Sequence, residues 1–142
     1  MDALLASQLA ATWFMVGVIW LVQVAHYPLF DRVGPEHAVP YHRAYVGRMG
    51  YVVGPPMLVE AGGALALVGW GAPWCPPHEA WAGLALVAAL WATTGLCSVP
   101  AHERLSRGWD PGAHLRLVRT NWLRTALWTA RGALALLWLT RL

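Results

Sequence analysis

Six histidines and one arginine-bearing stripe are the residues of this chain whose types could do chemistry. Five of the histidines (His26, His37, His42, His102 and His114) lie beside arginine-rich connections, and only His78 stands apart. A neutral imidazole binds copper, zinc or iron, haem iron included, and can also pass protons near neutral pH. His26, His42 and His102 come from three different segments and are expected to converge at one depth. There they would hold a haem or a transition metal (copper, iron or zinc), or act as acid–base groups. None of them is spaced from another as zinc-motif histidines are, so any convergence must come from the tertiary fold. His37 and His114 read as solvated loop residues.

The stripe runs from Asn121 to Arg131. On a helix, Asn121, Arg124, Thr125, Trp128 and Arg131 recur at spacings of three and four and share one face. The residues from Gly132 to Thr140 are uncharged, so the segment reads as a membrane span carrying two arginines. A charge in hydrocarbon costs at least ~2.5–3.5 kcal/mol unless it finds a partner or water. The other spans should therefore present polar groups to this face. Arg124 could instead snorkel to a headgroup; Arg131 lies too far inside. Glu60 is twelve residues past Arg48, as Arg131 is past Arg119. At ~1.5 Å per residue both are ~18 Å deep, near the bilayer middle. A Glu60–Arg131 ion pair is expected, either fixing helix register or flooring a polar cavity. Tyr27, Tyr41, Trp122 and Trp128 could line an amphipathic pocket towards the inner leaflet.

The elements that must position these groups follow from composition. The 142 residues are 58% hydrophobic and only 12% charged, about half the charged share of soluble domains. Four apolar runs each reach the ~20 residues of a spanning helix. The first lacks a basic leader and is too long for a signal-peptide core, so a retained helix is expected. The expected fold is all-α: one integral membrane four-helix bundle over residues 1–142, up-down-up-down, with helices at about 4–29, 41–70, 81–99 and 118–141.

Charge sets the orientation. Arg32, Arg43 and Arg48 follow the first span, and Arg104, Arg107, Arg116 and Arg119 follow the third. The connection between spans two and three has no Lys or Arg, and Arg141 is alone at the C-terminus. Basic loops stay cytoplasmic, so both termini are expected outside, with the chain in a bacterial inner membrane. This distribution accounts for the net charge of +3 without nucleic acid. The expected partners are the lipid bilayer and a lipophilic small molecule, with a homo-oligomer open.

Cys75 and Cys97 fall at opposite faces, too far apart for a disulfide. Pro28 is expected to disturb or end span one, and Pro100 to end span three. Pro35 and Pro40 should restrict residues 34–42 to a short interfacial turn or helix, and Gly54-Pro55-Pro56 should kink span two unless neighbours satisfy the freed carbonyls. Trp70, Trp74 and Trp81 read as an interfacial belt. Ala61-Gly62-Gly63-Ala64 allows close helix approach.

Two short patterns resemble known families. Trp13-Phe14, His26-Tyr27-Pro28-Leu29-Phe30, Tyr41-His42 and the Gly- and Pro-bearing second span resemble bacterial four-helix proteins of the copper-resistance-D-like and HemJ-type protoporphyrinogen oxidase group. Asn121-Trp122-Leu123-Arg124-Thr125 is similar to the Asn/His-x-x-Arg-Thr pattern of anthrone-oxygenase-like small membrane proteins. Together they cover about half the chain. The histidine placement and the last span depart from the oxidase pattern, so porphyrin chemistry does not carry over. The resemblance implies a compact four-helix fold that can house a redox cofactor or a hydrophobic substrate.

The expected function is a membrane-embedded oxidoreductase, oxygenase-like, acting on a lipophilic aromatic or quinone-like substrate near the cytoplasmic face. Asn121 and Arg124 would orient an oxygen-bearing substrate, the arginine stabilising developing negative charge, with Tyr27 beside them. The alternative is a non-enzymatic protein for metal handling, small-solute transport or an accessory role. The nearly apolar outer half argues against a channel.

Overall fold

A computed structural model describes residues 2–141; helices make up almost all of them and no strand occurs among them. Helix α1 spans Ala3–Leu21 and is capped by Asp2, whose carboxylate accepts from the Leu4 N–H at 2.8 Å. The same side chain accepts from the Trp74 indole N–H at 3.1 Å, which holds the Asp2 carboxyl below its ordinary range.

Pro28 bends the register of this rod but does not end it. Proline has no N–H for the Val24 carbonyl and its ring would collide with that group. The chain responds with a π turn over Val22–His26, in which the Tyr27 N–H reaches the Val22 carbonyl at 2.9 Å, and a 3₁₀ turn over Pro28–Arg32. Pro100 is treated the same way. Helix α3 (Pro77–Thr93) passes through a second π turn, Thr94–Ser98, into α4 (Val99–Arg107), so the third rod runs past the proline instead of stopping at it. Single π turns inside helices are frequent at functional sites.

Helix α2 covers Pro35–Trp70 and begins six residues before the expected boundary. Pro35 occupies the first turn, where its missing N–H costs nothing. Pro40, Pro55 and Pro56 all lie within the helix, which continues unbroken through them. The expected turn or short helix at residues 34–42 is therefore the first part of α2. Gly71 closes α2 at φ +71°, a left-handed conformation that glycine adopts without strain. Helix α5 spans Pro111–Leu139 and starts seven residues earlier than expected, because the Asp110 side chain caps it through the Gly112 and Ala113 N–H groups.

The four rods form a ring: α1 packs on α2 and α5, and α3 packs on the same two from the other side. The rods Ala3–Arg32, Pro35–Trp70 and Pro77–Arg107 are long and apolar enough to cross a membrane. Helix α5 carries four arginines, and its two deepest, Arg124 and Arg131, are buried against the other three rods. Leu21, Val24, Leu58, Leu65 and Leu96 point outwards while Gln8, Thr12, Glu60 and Asn121 point inwards. An apolar exterior around a polar interior is the pattern of an integral membrane protein.

The aromatic belt needs one correction. Trp70 and Trp81 are exposed, but Trp74 is buried, with its ring 5.8 Å from that of Trp138. Cys75 and Cys97 are both free.

Candidate functional site

The polar stripe of α5 feeds two layers of different character. In the deeper layer Arg131 donates from Nε to Glu60 Oε1 at 3.0 Å and from Nη1 to the Gly83 carbonyl at 3.0 Å. Its Nη2 donates to Gln8 Oε1. Thr12 Oγ1 donates to Glu60 Oε1 at 2.8 Å, and Trp128 Nε1 to Glu60 Oε2 at 3.0 Å. Gln8 Nε2 donates in turn to the Val59 carbonyl at 2.9 Å. Every rod thus contributes to one buried pair, and no polar atom of these side chains is left unpartnered. This is the pattern of a structural lock, because each nitrogen and oxygen of the pair already has a partner within the bundle. Two glycines make room for it. A methyl on Gly63 would sit 2.0 Å from Gln8 Nε2, and one on Gly83 would sit 3.4 Å from Arg131 Nη1. Gly62 faces open space, so of the two adjacent glycines only Gly63 serves close approach.

The shallower layer is not saturated. Tyr27 Oη and His102 Nε2 lie 3.0 Å apart, and His102 Nδ1 and His42 Nε2 also 3.0 Å apart. The π turn before Tyr27 and the one before α4 bring these groups to one level, and α2 supplies His42 because it already exists at residue 42. One consistent set of protons runs through all three: Tyr27 Oη–H donates to His102 Nε2, and His102 Nδ1–H donates to His42 Nε2. His114 Nε2 donates to the Tyr27 carbonyl at 2.7 Å. His114 therefore braces the relay from the first turn of α5, which corrects its reading as a solvated loop residue; His37, exposed on α2, touches none of this.

Arg124 enters the same layer from α5. Its Nη1 donates to Asn121 Oδ1 at 3.0 Å, while Asn121 Nδ2 donates to Gln23 Oε1 at 2.8 Å. The guanidinium carbon lies 5.2 Å from the centre of the Trp128 ring, within cation–π range. Its Nε–H has no partner although Arg124 is only 6% exposed. Ser98 Oγ is likewise buried and unpartnered. Both side chains line a cavity of about 160 Å³ whose walls include Met15, Ile19, Tyr27, Tyr45 and His102. A guanidinium N–H and a hydroxyl without partners, on two residues that border one chamber, are the polar groups here that an oxygen acceptor could satisfy.

Several expected residues are placed differently. Asn121 is fully buried, does not border the chamber beside Arg124, and accepts from Arg124, which it holds in position. Trp128 belongs to the Glu60 lock, and Trp122 lies half-exposed with its ring edge-on to Trp20. The expected three-histidine ligand set does not form. His102 commits both ring nitrogens to Tyr27 and His42, whereas His26 stacks on Tyr45 with ring centres 4.4 Å apart. Among the described residues no three His, Cys, Asp or Glu side chains are grouped as a metal would require. A three-ligand metal centre is therefore not formed by these side chains.

Tyr45, Ser98 and Gln23 belong to the same layer, and nothing in the spacing of the chain singles them out. Tyr45 follows Tyr41 by one helical turn, a spacing already contained in the expected span 41–70. Ser98 is aimed inwards by a π turn that no simple periodicity announces.

No protein-family model, no curated protein and no solved structure matches this chain, so the geometry of the site carries its functional interpretation.

Proposed function

We propose that this chain is a membrane-embedded oxidoreductase of the oxygenase-like kind. It binds a lipophilic, oxygen-bearing aromatic or quinone-like substrate in the chamber beside Arg124. The observation that carries this proposal is the pair of buried, unpartnered donors, Arg124 Nε–H and Ser98 Oγ–H, in one small cavity. A substrate oxygen accepting from both would develop negative charge against a fixed guanidinium, the arrangement that lowers the barrier to deprotonation. Tyr27 borders the chamber and heads the His102–His42 relay, which gives the released proton a route away. His102 also borders an open groove lined by Arg43 and Glu103, where that proton reaches water. For a quinol the overall change is loss of two protons and two electrons to dioxygen, giving quinone and hydrogen peroxide.

The topology we propose for this activity is a four-span, up-down-up-down bundle in a bacterial inner membrane. Its arginine-rich loops are cytoplasmic and both termini are outside, in keeping with the charge distribution. On that arrangement an impermeant thiol reagent applied to intact cells modifies His78→Cys and spares Ser106→Cys, in a background of Cys75→Ser and Cys97→Ser. The opposite pattern inverts the topology.

The test of function is dioxygen uptake by the protein in lipid nanodiscs supplied with a short-chain benzoquinol. Tyr27→Phe removes the first proton carrier and should lower turnover about 10²-fold or more, with the substrate's KM little changed. Tight binding of the quinol with no uptake above empty nanodiscs would leave a binding or accessory protein in place of an enzyme.

A further inference from the structure

A second cavity adjoins the first. It has a volume of about 320 Å³ and is bordered by His26, Tyr41, Ala44, Arg48, Leu21 and Val52. Val18, Val22, Tyr45 and Met49 border both chambers, so a single side-chain wall separates them. Val18 and Val22 of the first rod and Tyr45 and Met49 of α2 make up this wall. Leu21 is 65% exposed and Val52 41%, which puts the far side of the second chamber against lipid. His26 Nε2 is buried in that chamber without a partner.

Resting on the function proposed above, we infer that the two chambers form one elongated site for a lipid quinone or quinol with a single six-membered ring and an apolar tail. Size selects the ring: a dry cavity of about 150 Å³ accepts benzene, and the Arg124 chamber is of that order. A fused three-ring system does not fit there without displacing the wall. One ring oxygen accepts from Arg124 and Ser98, and the other faces His26 Nε2 past Tyr45. The tail lies along Val18, Met49 and Val52 and leaves between α1 and α2 into the leaflet. The substrate therefore reaches the site sideways from the membrane, not from the aqueous face. Arg48 at the chamber's edge marks the depth at which the hydrocarbon ends and headgroups begin.

The experiment compares 2-methyl-1,4-benzoquinone with its decyl-substituted counterpart, each titrated into nanodiscs and read by quenching of tryptophan fluorescence. Three proteins are used: wild type, Arg124→Gln and Ala44→Phe. Ala44 is exposed on α2, so its replacement fills the second chamber without touching the core. The expected result is that Ala44→Phe weakens the decyl compound at least tenfold and leaves the tail-less ring unchanged, while Arg124→Gln weakens both. Using one compound across variants cancels its partition into lipid. Equal affinity of the decyl compound for Ala44→Phe and wild type would overturn the tail chamber while leaving the head site standing. Failure of either ring to bind wild type, or indifference of the tail-less ring to Arg124→Gln, would overturn the head site and the inference with it. As a further check, His26→Phe keeps the stack on Tyr45 and should weaken both rings; no change there would remove the second oxygen contact.

Discussion

Glu60→Ala should lower the stability of the bundle by about 3–5 kcal/mol, the largest loss expected from any single substitution in this chain. The carboxylate accepts from three side chains on two rods, and its removal leaves Arg131 buried at 1% exposure with a charge and no counter-charge. Arg131 keeps only the Gly83 carbonyl, Gln8 and the Glu60 backbone carbonyl, none of which carries a negative charge. In a membrane interior neither water nor a shift of the helix repairs this cheaply. The measurement is thermal unfolding in detergent, followed by loss of the monodisperse peak, on Glu60→Ala, Arg131→Met and the double variant. The double variant should be less damaged than either single one, since replacing both charges removes the uncompensated ion that each single change creates. Gly63→Ala should move the same readout by about 1–3 kcal/mol, because the new methyl displaces Gln8 from both of its partners. A Glu60→Ala protein as stable as wild type would show that the buried pair is not the lock.

The difference between the two polar layers explains what was legible in the sequence. The α5 stripe was readable because helical spacing alone puts Asn121, Arg124, Thr125, Trp128 and Arg131 on one face, and all five are buried. Glu60 and Arg131 could be matched by counting residues from the membrane edge, since helical rise is constant. Their other partners could not. Gln8 and Thr12 are four residues apart on α1, a weak polar face within a run of apolar residues, and Gly83 contributes only a backbone carbonyl. Depth is readable from a chain; rotation about each helix axis is not.

Prolines shift the helix boundaries away from the simple pattern. Pro28 and Pro100 are absorbed by π turns, and Pro40, Pro55 and Pro56 stay inside α2. A π turn adds one residue to a helical turn, so it rotates everything beyond it by roughly 100° relative to the α register. Within the first π turn, Gln23 meets Asn121 and His26 meets Tyr45. Past the second π turn, that rotation is why His102, placed after a proline that was expected to end its helix, comes to lie between Tyr27 and His42. The three-histidine metal set was inferred from depth alone, and the rotation determined that only two of the three meet.

Arg124→Gln should reduce turnover about 10²–10³-fold, as loss of one oxyanion donor does in other enzymes, while changing thermal stability far less than Glu60→Ala. The two buried arginines of α5 are seven residues apart, two turns of one face, but they are bound differently. Arg131 has partners for all of its guanidinium nitrogens, whereas Arg124 has one side-chain acceptor, one aromatic face and a free Nε–H. Removing Arg124 leaves no buried carboxylate unpaired, and Asn121 still donates to Gln23. The cost should therefore appear in chemistry and in ring affinity. Arg124→Lys should not restore activity: an ammonium has no planar fork to donate to Asn121 and to the substrate oxygen at once. Asn121→Ala should fall between wild type and Arg124→Gln, since it frees the guanidinium without removing it, and the loss should lie in turnover more than in thermal midpoint. These variants are best read side by side for quinol-dependent dioxygen uptake and for unfolding temperature. Loss of stability in Arg124→Gln as large as in Glu60→Ala, with any residual folded protein fully active, would make Arg124 a second structural arginine and leave the chamber without its anion-stabilising group.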